Sequence, residues 1–446
     1  MKSERIASVK QLDLSPGSPE DESCTGKQTQ SASTLLSSMM AQVLERENLK
    51  RALKQVKRNK GAPGIDGMSV NELSGYLKQH WVSIKAELLE GRYRPNAVRQ
   101  VEIPKPDGSK RKLGIPTVVD RFIQQAIAQV LQQQWDKHFH NNSYGFRPKR
   151  SAHQAVKYAQ HTIQSGYSRV VDLDLKSFFD EVNHDRLMKR LQTRMTDKVL
   201  LRLINRYLKA GIELNGHREA SFKGVPQGGP LSPILSNIVL DELDWELHRR
   251  GHLFARYADD CIIFVKSQIA GERVMKSITR FIEDSLRLKV NTQKSAVDRP
   301  KNRTFLGFTF SQRGNKLKVA AKAILKLKAT IRQLTRRTRG HKFTQIIADL
   351  KVSLLGWKAY FGIAEVLSQL RDLDKWIRRK LRCYLWKQWG RAGYRNLRRL
   401  GVAVRLAWNT SKSAHGPWRI SQSPALYYAL PNRYFKHLGL PSLVAR

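Results

Sequence analysis

The chain has 446 residues, 41% of them hydrophobic, which supports a packed core and excludes wholesale disorder. Lys and Arg number 81 against 37 Asp and Glu, a net charge of +44, so a polyanionic partner is expected, nucleic acid ahead of an acidic membrane surface. No apolar run is long enough to span a bilayer, the N-terminus has no secretory core segment, and the three cysteines, Cys24, Cys261 and Cys383, form no CxxC pair; a disulfide framework and a Cys-ligated zinc module are both excluded, and a reducing cytoplasm is expected.

Residues 1–35, rich in Ser, Gly, Pro, Gln and Thr, read as a disordered leader. A helical pattern over 36–59 ends at the loop signal Lys60-Gly61-Ala62-Pro63-Gly64. Extended runs at 99–103 and 112–115, around Pro106-Asp107-Gly108-Ser109, predict a basic hairpin, and 121–135 a helix. A short apolar strand over 169–174 closes on acids, helical sequence fills 184–210, and the Gly/Pro-rich loop 224–233 leads into an apolar helix over 234–248. Two apolar runs, 253–257 and 261–265, flank Ala258-Asp259-Asp260 and predict a hairpin with acids at its tip; a helix over 272–288 and a strand over 305–310 follow. Helices and strands interleave without a regular βαβ repeat, so the class is α+β. After residue 320 the pattern is helical only. Apolar residues at spacings of three and four (Ile324, Leu327, Ile331, Leu334; Ile347, Leu350, Leu354; Leu370, Leu373, Ile377, Leu381) predict three amphipathic helices with basic polar faces, among them Lys375, Arg379 and Arg382. No Asp or Glu occurs from Lys375 to the end.

The acids are informative because so basic a chain keeps few. Asp172, Asp174 and Asp180 lie in VVDLDLKSFFD, and Asp259 and Asp260 in RYADDCIIF. Both groups sit at ends of apolar strands, where side chains can converge on one sheet face. Carboxylates that close repel unless a cation compensates. Oxygen donors without a His or Cys ligand set favour Mg²⁺. In a basic nucleic-acid binder this set points to two-metal phosphoryl transfer.

The ordered motifs resemble those of the group II intron-encoded reverse transcriptase and maturase family, of the bacterial kind without an endonuclease domain. The match is carried by KGAPGIDG, IPKPDGSKRKLGIPTVVDR, SYGFRPKRSA, VVDLDLKSFFD, GVPQGGPLSPILSN, YADD, VNTQKS and FLGF, and by GWKAYF in the helical segment. The resemblance implies a right-hand polymerase: fingers and palm over 36–315 with an antiparallel palm sheet, an all-helical thumb (domain X) over 316–395, and a short basic DNA-binding tail over 396–446. It implies two Mg²⁺ ions on the catalytic acids Asp174, Asp259 and Asp260. It places Lys105, Arg111, Phe179, Gln227 and Lys294 at the incoming dNTP, and Arg147, Gly228, Gly229, Tyr257 and Gly307 at template and primer. Lys375, Arg379 and Arg382 would hold nucleic acid on the thumb. Asp172 reads as structural, and Phe179 has ordinary core packing as its alternative. The partners implied are group II intron RNA, target DNA, a DNA primer and dNTPs, with no membrane; no protein partner is indicated. The expected location is the cytoplasm of a bacterium, on the nucleoid when DNA is bound. An RNA-binding splicing chaperone with little polymerase activity, and a reverse transcriptase of another bacterial lineage, stay open as alternatives.

Overall fold

The computed structural model describes residues 38–444 except 105–107, 109 and 215; the leader expected over 1–35 and Lys105 lie outside the described residues. The chain opens with α1 (Met39–Val43) and α2 (Arg46–Asn59), which replace the single helix expected over 36–59. Asn48 makes the break. Its buried amide donates to the Val43 carbonyl (2.9 Å) and to the Ala126 carbonyl (3.1 Å), closing the end of α1 while tying it to a distant helix. After α3 (Leu73–Leu89), β1 (Val98–Pro104) and β2 (Lys110–Ile115) form the expected antiparallel hairpin, with Arg99 opposite Ile115. The helix expected over 121–135 is α4 (Val118–Trp135), capped by the Thr117 hydroxyl.

Next come α5 (Ala152–Gln164), β3 (Arg169–Leu173), α6 (Phe178–Glu181), α7 (His184–Gln192) and α8 (Lys198–Leu208). Asp197 splits the expected 184–210 helix by capping α8, accepting from the Val199 and Leu200 amides at 3.0 Å each. The strands β4 (Ile212–Leu214) and β5 (His217–Glu219), absent from the sequence reading, extend the first hairpin into a sheet of order β2-β1-β4-β5. After α9 (Ser232–Arg249), β6 (Leu253–Tyr257) and β7 (Asp260–Val265) make the acid-tipped hairpin. Helix α10 (Gln268–Arg280) starts four residues before the expected 272, because the Ser267 hydroxyl caps it. With β8 (Ala296–Asp298), a second sheet has the order β6-β7-β3-β8 and is antiparallel throughout. The strand expected over 305–310 is half that length: β9 (Phe308–Phe310) pairs with β10 (Leu317–Val319), and Leu306-Gly307 is a turn.

The second sheet is apolar on both faces. Val171, Leu173, Cys261 and Ile263 point into a core shared with α1–α4 and α7–α10. Val170, Ala255, Ile262 and Phe264 point into a core shared with α5, β9, β10 and the C-terminal helices. Those helices are α11 (Ala321–Leu334), α12 (Phe343–Phe361) and α13 (Leu367–Trp389), then the short α14 (Gly393–Arg399), α15 (Val404–Ser411), α16 (Pro417–Ile420), α17 (Pro424–Ala429) and α18 (Asn432–His437). The 315/316 boundary falls in the β9–β10 turn and the 395/396 boundary inside α14. Leu397, Leu426, Leu430 and Phe435 bury into the same core as α12 and α13. The chain end returns to α13, where the Ser442 hydroxyl (2.6 Å) and the Leu443 amide (3.0 Å) donate to the Asp374 carboxylate.

Candidate active site

Side chains alternate along a strand, so Asp172 and Asp174 share a face with Val170, and Asp260 shares one with Ile262. Both belong to the face that carries the C-terminal helices. Leu173 pairs with Cys261; Asp174, one residue on, and Asp260, one residue before, therefore leave the same end of adjacent strands. Tyr257, opposite Asp260 on β6, joins them.

The hairpin tip is a two-residue turn, Ala258-Asp259, with Ala258 at φ 57, the positive φ that such turns require at their first position. For a residue with a Cβ that conformation costs about 1–2 kcal/mol. Arg256 holds it. Its side chain is 0% exposed, and its guanidinium donates to both Asp244 carboxylate oxygens (2.7 and 2.6 Å), to Asn237 (3.1 Å), to the Ser143 hydroxyl (2.7 Å) and to the Ala258 carbonyl (2.9 Å). From the other side Gly145 lies against the Ala258 backbone with no room for a Cβ, and Asn237 donates to the Gly145 carbonyl (2.8 Å). The SYGF motif is thus the buttress of the YADD tip.

The VNTQKS loop cradles Asp174. Asn291 donates from its amide side chain to the carboxylate (2.9 Å) and from its backbone to the Asp174 carbonyl (2.8 Å), while the Asp174 amide donates to the Ser295 hydroxyl (3.0 Å). Lys294 stands 4.0 Å from the same carboxylate. Asp172 is paired with Arg303 (2.7 and 3.0 Å), in keeping with a structural part; burial raises its pKa and Arg303 opposes the rise. Asp260 belongs to an exposed residue at the tip, yet the protein atoms around its carboxyl, and then the charges of Asp259, Asp172 and Asp174, push its pKa up to about 6. Among the described residues no three His, Cys, Asp or Glu side chains stand close enough together as placed to hold a metal ion. The donor chemistry does fit one: carboxylates from two adjacent strands leave this end of the sheet, and a hard divalent cation there would remove the repulsion felt at Asp260.

The loop 224–233 runs beneath. Gly224 (φ 91) packs on the Phe179 and Asp180 carbonyls, and the Val225 amide donates to the Phe179 carbonyl (2.6 Å), so half-buried Phe179 sits at the loop's edge against its neighbour Phe178. The bareness of Gly228 and Gly229 is used by the protein itself. A Cβ on Gly228 (φ 129) would lie 2.5 Å from the Gly114 carbonyl, and one on Gly229 2.5 Å from the Gln124 side chain. The Gly114 amide donates to the Gln227 carbonyl (2.8 Å), joining the loop to β2. Arg111 is exposed on β2 opposite Ile103. Gly307 (φ 80) lies under the Phe361 ring.

Two arginines read as nucleic-acid contacts are inside the fold. Arg147 is 9% exposed and donates to Asp136 and to the carbonyls of Asp136, His140 and Ser143, the chain's own acceptors taking the place of a phosphate. Arg382 is 2% exposed, donates to the Leu430 carbonyl (3.0 Å) and lies over the Tyr427 ring (4.2 Å); the tail folds over it and removes it from the basic face. Arg379 is half-buried, with its guanidinium 3.9 Å above Trp418, whereas Lys375 stays exposed. Of the C-terminal aromatics, Trp408, Trp418, Tyr427 and Tyr428 are exposed and Tyr384 is buried.

Asn291 and Ser295 flank Lys294 in one motif and could have been read with it. Arg256 and Asp244 carried no sequence signal of their own, since a charged residue in a strand or helix ordinarily reads as solvent-facing; Gly145 lay in a quoted motif but without this role. Asp120 was likewise missed: it is buried, accepts from Thr117, Tyr93, Tyr207 and the Asn96 amide, and pins the β2–α4 corner under the glycine loop.

Residues 103–310 match the family model described as "Reverse transcriptase (RNA-dependent DNA polymerase)", and 324–401 the one described as "Group II intron, maturase-specific domain". Protein YkfC of Escherichia coli (strain K12) is 34% identical over 295 residues, 57% of this chain and 77% of that protein. Group II intron-encoded protein LtrA of Lactococcus lactis subsp. cremoris is 37% identical over 187 residues, 42% of this chain and 31% of that protein. Among solved structures, the partial Cas6-RT-Cas1–Cas2 complex aligns with a TM-score of 0.35 at 25% identity, covering 55% of this chain and 42% of that one.

Proposed function

We infer the function from one premise: the chain belongs to the family of group II intron-encoded reverse transcriptases and maturases. It is an RNA-directed DNA polymerase that copies group II intron RNA and assists its splicing, with target DNA, a DNA primer and dNTPs as its other partners. The segment 36–315 serves as fingers and palm, 316–395 as thumb, and 396–446 as a DNA-binding tail that shares the thumb's core.

The reaction is attack of a primer 3′-hydroxyl on the α-phosphate of a dNTP. Asp174 and Asp259, with Asp260 adjacent, would hold Mg²⁺, which supplies charge neutralisation and a more acidic hydroxyl when bound. Asn291 keeps Asp174 aimed at the hairpin, and Arg256 keeps Ala258 in the turn that presents Asp259. Lys294 beside Asp174 offers its proton to the leaving pyrophosphate. Arg111, with Lys105, closes on the triphosphate, where a guanidinium makes paired contacts. Phe179 and Gln227 line the floor under the nucleotide, and Tyr257 meets the primer end. A groove of about 690 Å³ lined by Phe146, Lys149, Gln129, Lys137 and Arg51 offers cations and amides to the template strand. The exposed cations of the helical segment grip RNA phosphates, so affinity falls steeply with salt.

The observation that carries this reading is that acids of two segments about 85 residues apart leave one end of one sheet, where burial and then the charges of Asp259, Asp172 and Asp174 raise the proton affinity of Asp260. The test is primer extension on an RNA template. Wild type extends, and Asp259→Asn loses roughly 10²–10³-fold or more, the scale of removing one preorganised charge contact. Unchanged extension in Asp259→Asn overturns the polymerase reading and leaves an RNA-binding splicing chaperone.

A further inference from the structure

The turn at Leu306-Gly307 is closed on itself by Phe305 and Phe308, whose amides each donate to the other's carbonyl at 2.9 Å. Both turn residues have positive φ, 51 at Leu306 and 80 at Gly307. Glycine adopts this freely; leucine does not. Leu306 is nevertheless fixed there by a residue of the helical segment. The Tyr360 phenol, near the end of α12, donates to the Leu306 carbonyl (2.9 Å). The next ring, Phe361, covers Gly307 so closely that a Cβ there would sit 3.2 Å from it, and Phe308 packs on both rings (5.7 and 5.2 Å). Tyr360 is itself held from α5: the His153 ring meets its carbonyl at 2.6 Å and its ring at 5.4 Å.

Three segments remote in sequence therefore meet on a strained turn, and they do so at the catalytic end of the sheet. Tyr257, Leu306 and Tyr360 all pack against the core on the face of the sheet that carries Asp174 and Asp260, and burial, with the nearby Asp260 carboxylate adding to it, raises the pKa of the Tyr360 phenol. Strain maintained by surrounding contacts at such a place points to function rather than to accident.

We propose that Tyr360 is a positioning residue for the primer terminus: its phenol sets the Leu306-Gly307 turn, and that turn fixes where the 3′-hydroxyl sits relative to the Asp174–Asp260 end of the sheet. The helical segment would thereby take part in the polymerase site as well as in gripping nucleic acid. This rests on the polymerase reading above. A small displacement of a reacting group is costly, so the residue acts on the rate rather than on affinity.

The test compares wild type, Tyr360→Phe and Leu306→Gly in single-nucleotide incorporation on a DNA primer annealed to an RNA template, with primer–template binding and thermal melting measured alongside. Tyr360→Phe should lower kcat about 3- to 10-fold, the worth of one hydrogen bond, with dNTP KM, primer–template Kd and melting temperature unchanged. Leu306→Gly relieves the strain and loosens the turn, so it should lower kcat by a similar factor without lowering the melting temperature, a result that a merely structural role would not give. Wild-type kcat in either variant, or a loss of kcat that only tracks a lower melting temperature, overturns the proposal. Absence of extension by wild type overturns the polymerase reading and this proposal with it; wild-type extension with an unaffected Tyr360→Phe overturns this proposal alone.

Discussion

The two halves of the molecule handle charge in opposite ways. From β1 to β10, cations that are buried or half-buried mostly meet acids: Arg256 with Asp244, Arg303 with Asp172, Arg147 with Asp136, Arg190 with Asp241; Arg121, on the Ala62 carbonyl, is an exception. Beyond Asp374 there is no acid to meet, so Arg379 lies on Trp418, and Arg382 on Tyr427 and the Leu430 carbonyl. The lesson is that a basic stretch without acids is not all surface. Part of its charge is absorbed by rings and carbonyls, and only the remainder is available to nucleic acid.

The largest break in this comparison comes from the acid-rich half. Replacing Arg256 with Met leaves Asp244 buried without its partner, which should cost about 3–5 kcal/mol; denaturant unfolding measures it. Adding Asp244→Asn should restore much of the loss, because no lone charge then remains. A loss under about 1 kcal/mol for the single variant would mean that the pair does not hold the hairpin.

In the acid-free half the contrast is between neighbours on one helix. Arg382→Met should lower stability by about 1–3 kcal/mol through the bared Leu430 carbonyl, with the salt dependence of RNA binding unchanged. Lys375→Ala should leave stability within about 0.5 kcal/mol and reduce the slope of log K against log salt by about 1. Unfolding and filter binding at several salt concentrations separate the two, and an exchange of phenotypes would refute the burial argument.

The smallest effect is in pH. Asp260 is pushed from 3.8 up to about 6, and Asp241, by burial and Asp244, to about 6 as well. The folded chain therefore binds these protons more tightly than the unfolded one, and stability in the absence of metal falls as pH rises from about 4 to about 6, then stays lower. A divalent cation at the acids cancels the Asp260 share and leaves that of Asp241. The melting-temperature gain from Mg²⁺ should accordingly grow across that interval, and a gain independent of pH would argue against a cation beside Asp260.

Much of the site was legible because strands that are apolar on both faces and end in acids are rare in a chain this basic. β3, β6 and β7, and the acids that end them, follow from the runs 169–174 and 253–265 alone. The hairpin strands at Val98–Pro104 and Lys110–Ile115 were legible through their alternation and the turn-forming residues in the sequence between them. What stayed hidden depends on tertiary partners: the helix break imposed by Asn48, the turn imposed on Leu306 by Tyr360, and the fate of each arginine. Arg147 and Arg382 look like surface cations in sequence, Arg256 looks out of place in a strand, and only the neighbours supplied by the fold tell them apart.

The account turns on carboxylates from separate strands acting as one cation site. Titration of Mn²⁺ followed by electron paramagnetic resonance tests this directly, with wild type, Asp174→Asn and Asp259→Asn compared. If the account is correct, each single substitution removes the binding seen in wild type, and the two together remove no more. Independent, additive losses, or binding retained in both single variants, would contradict it.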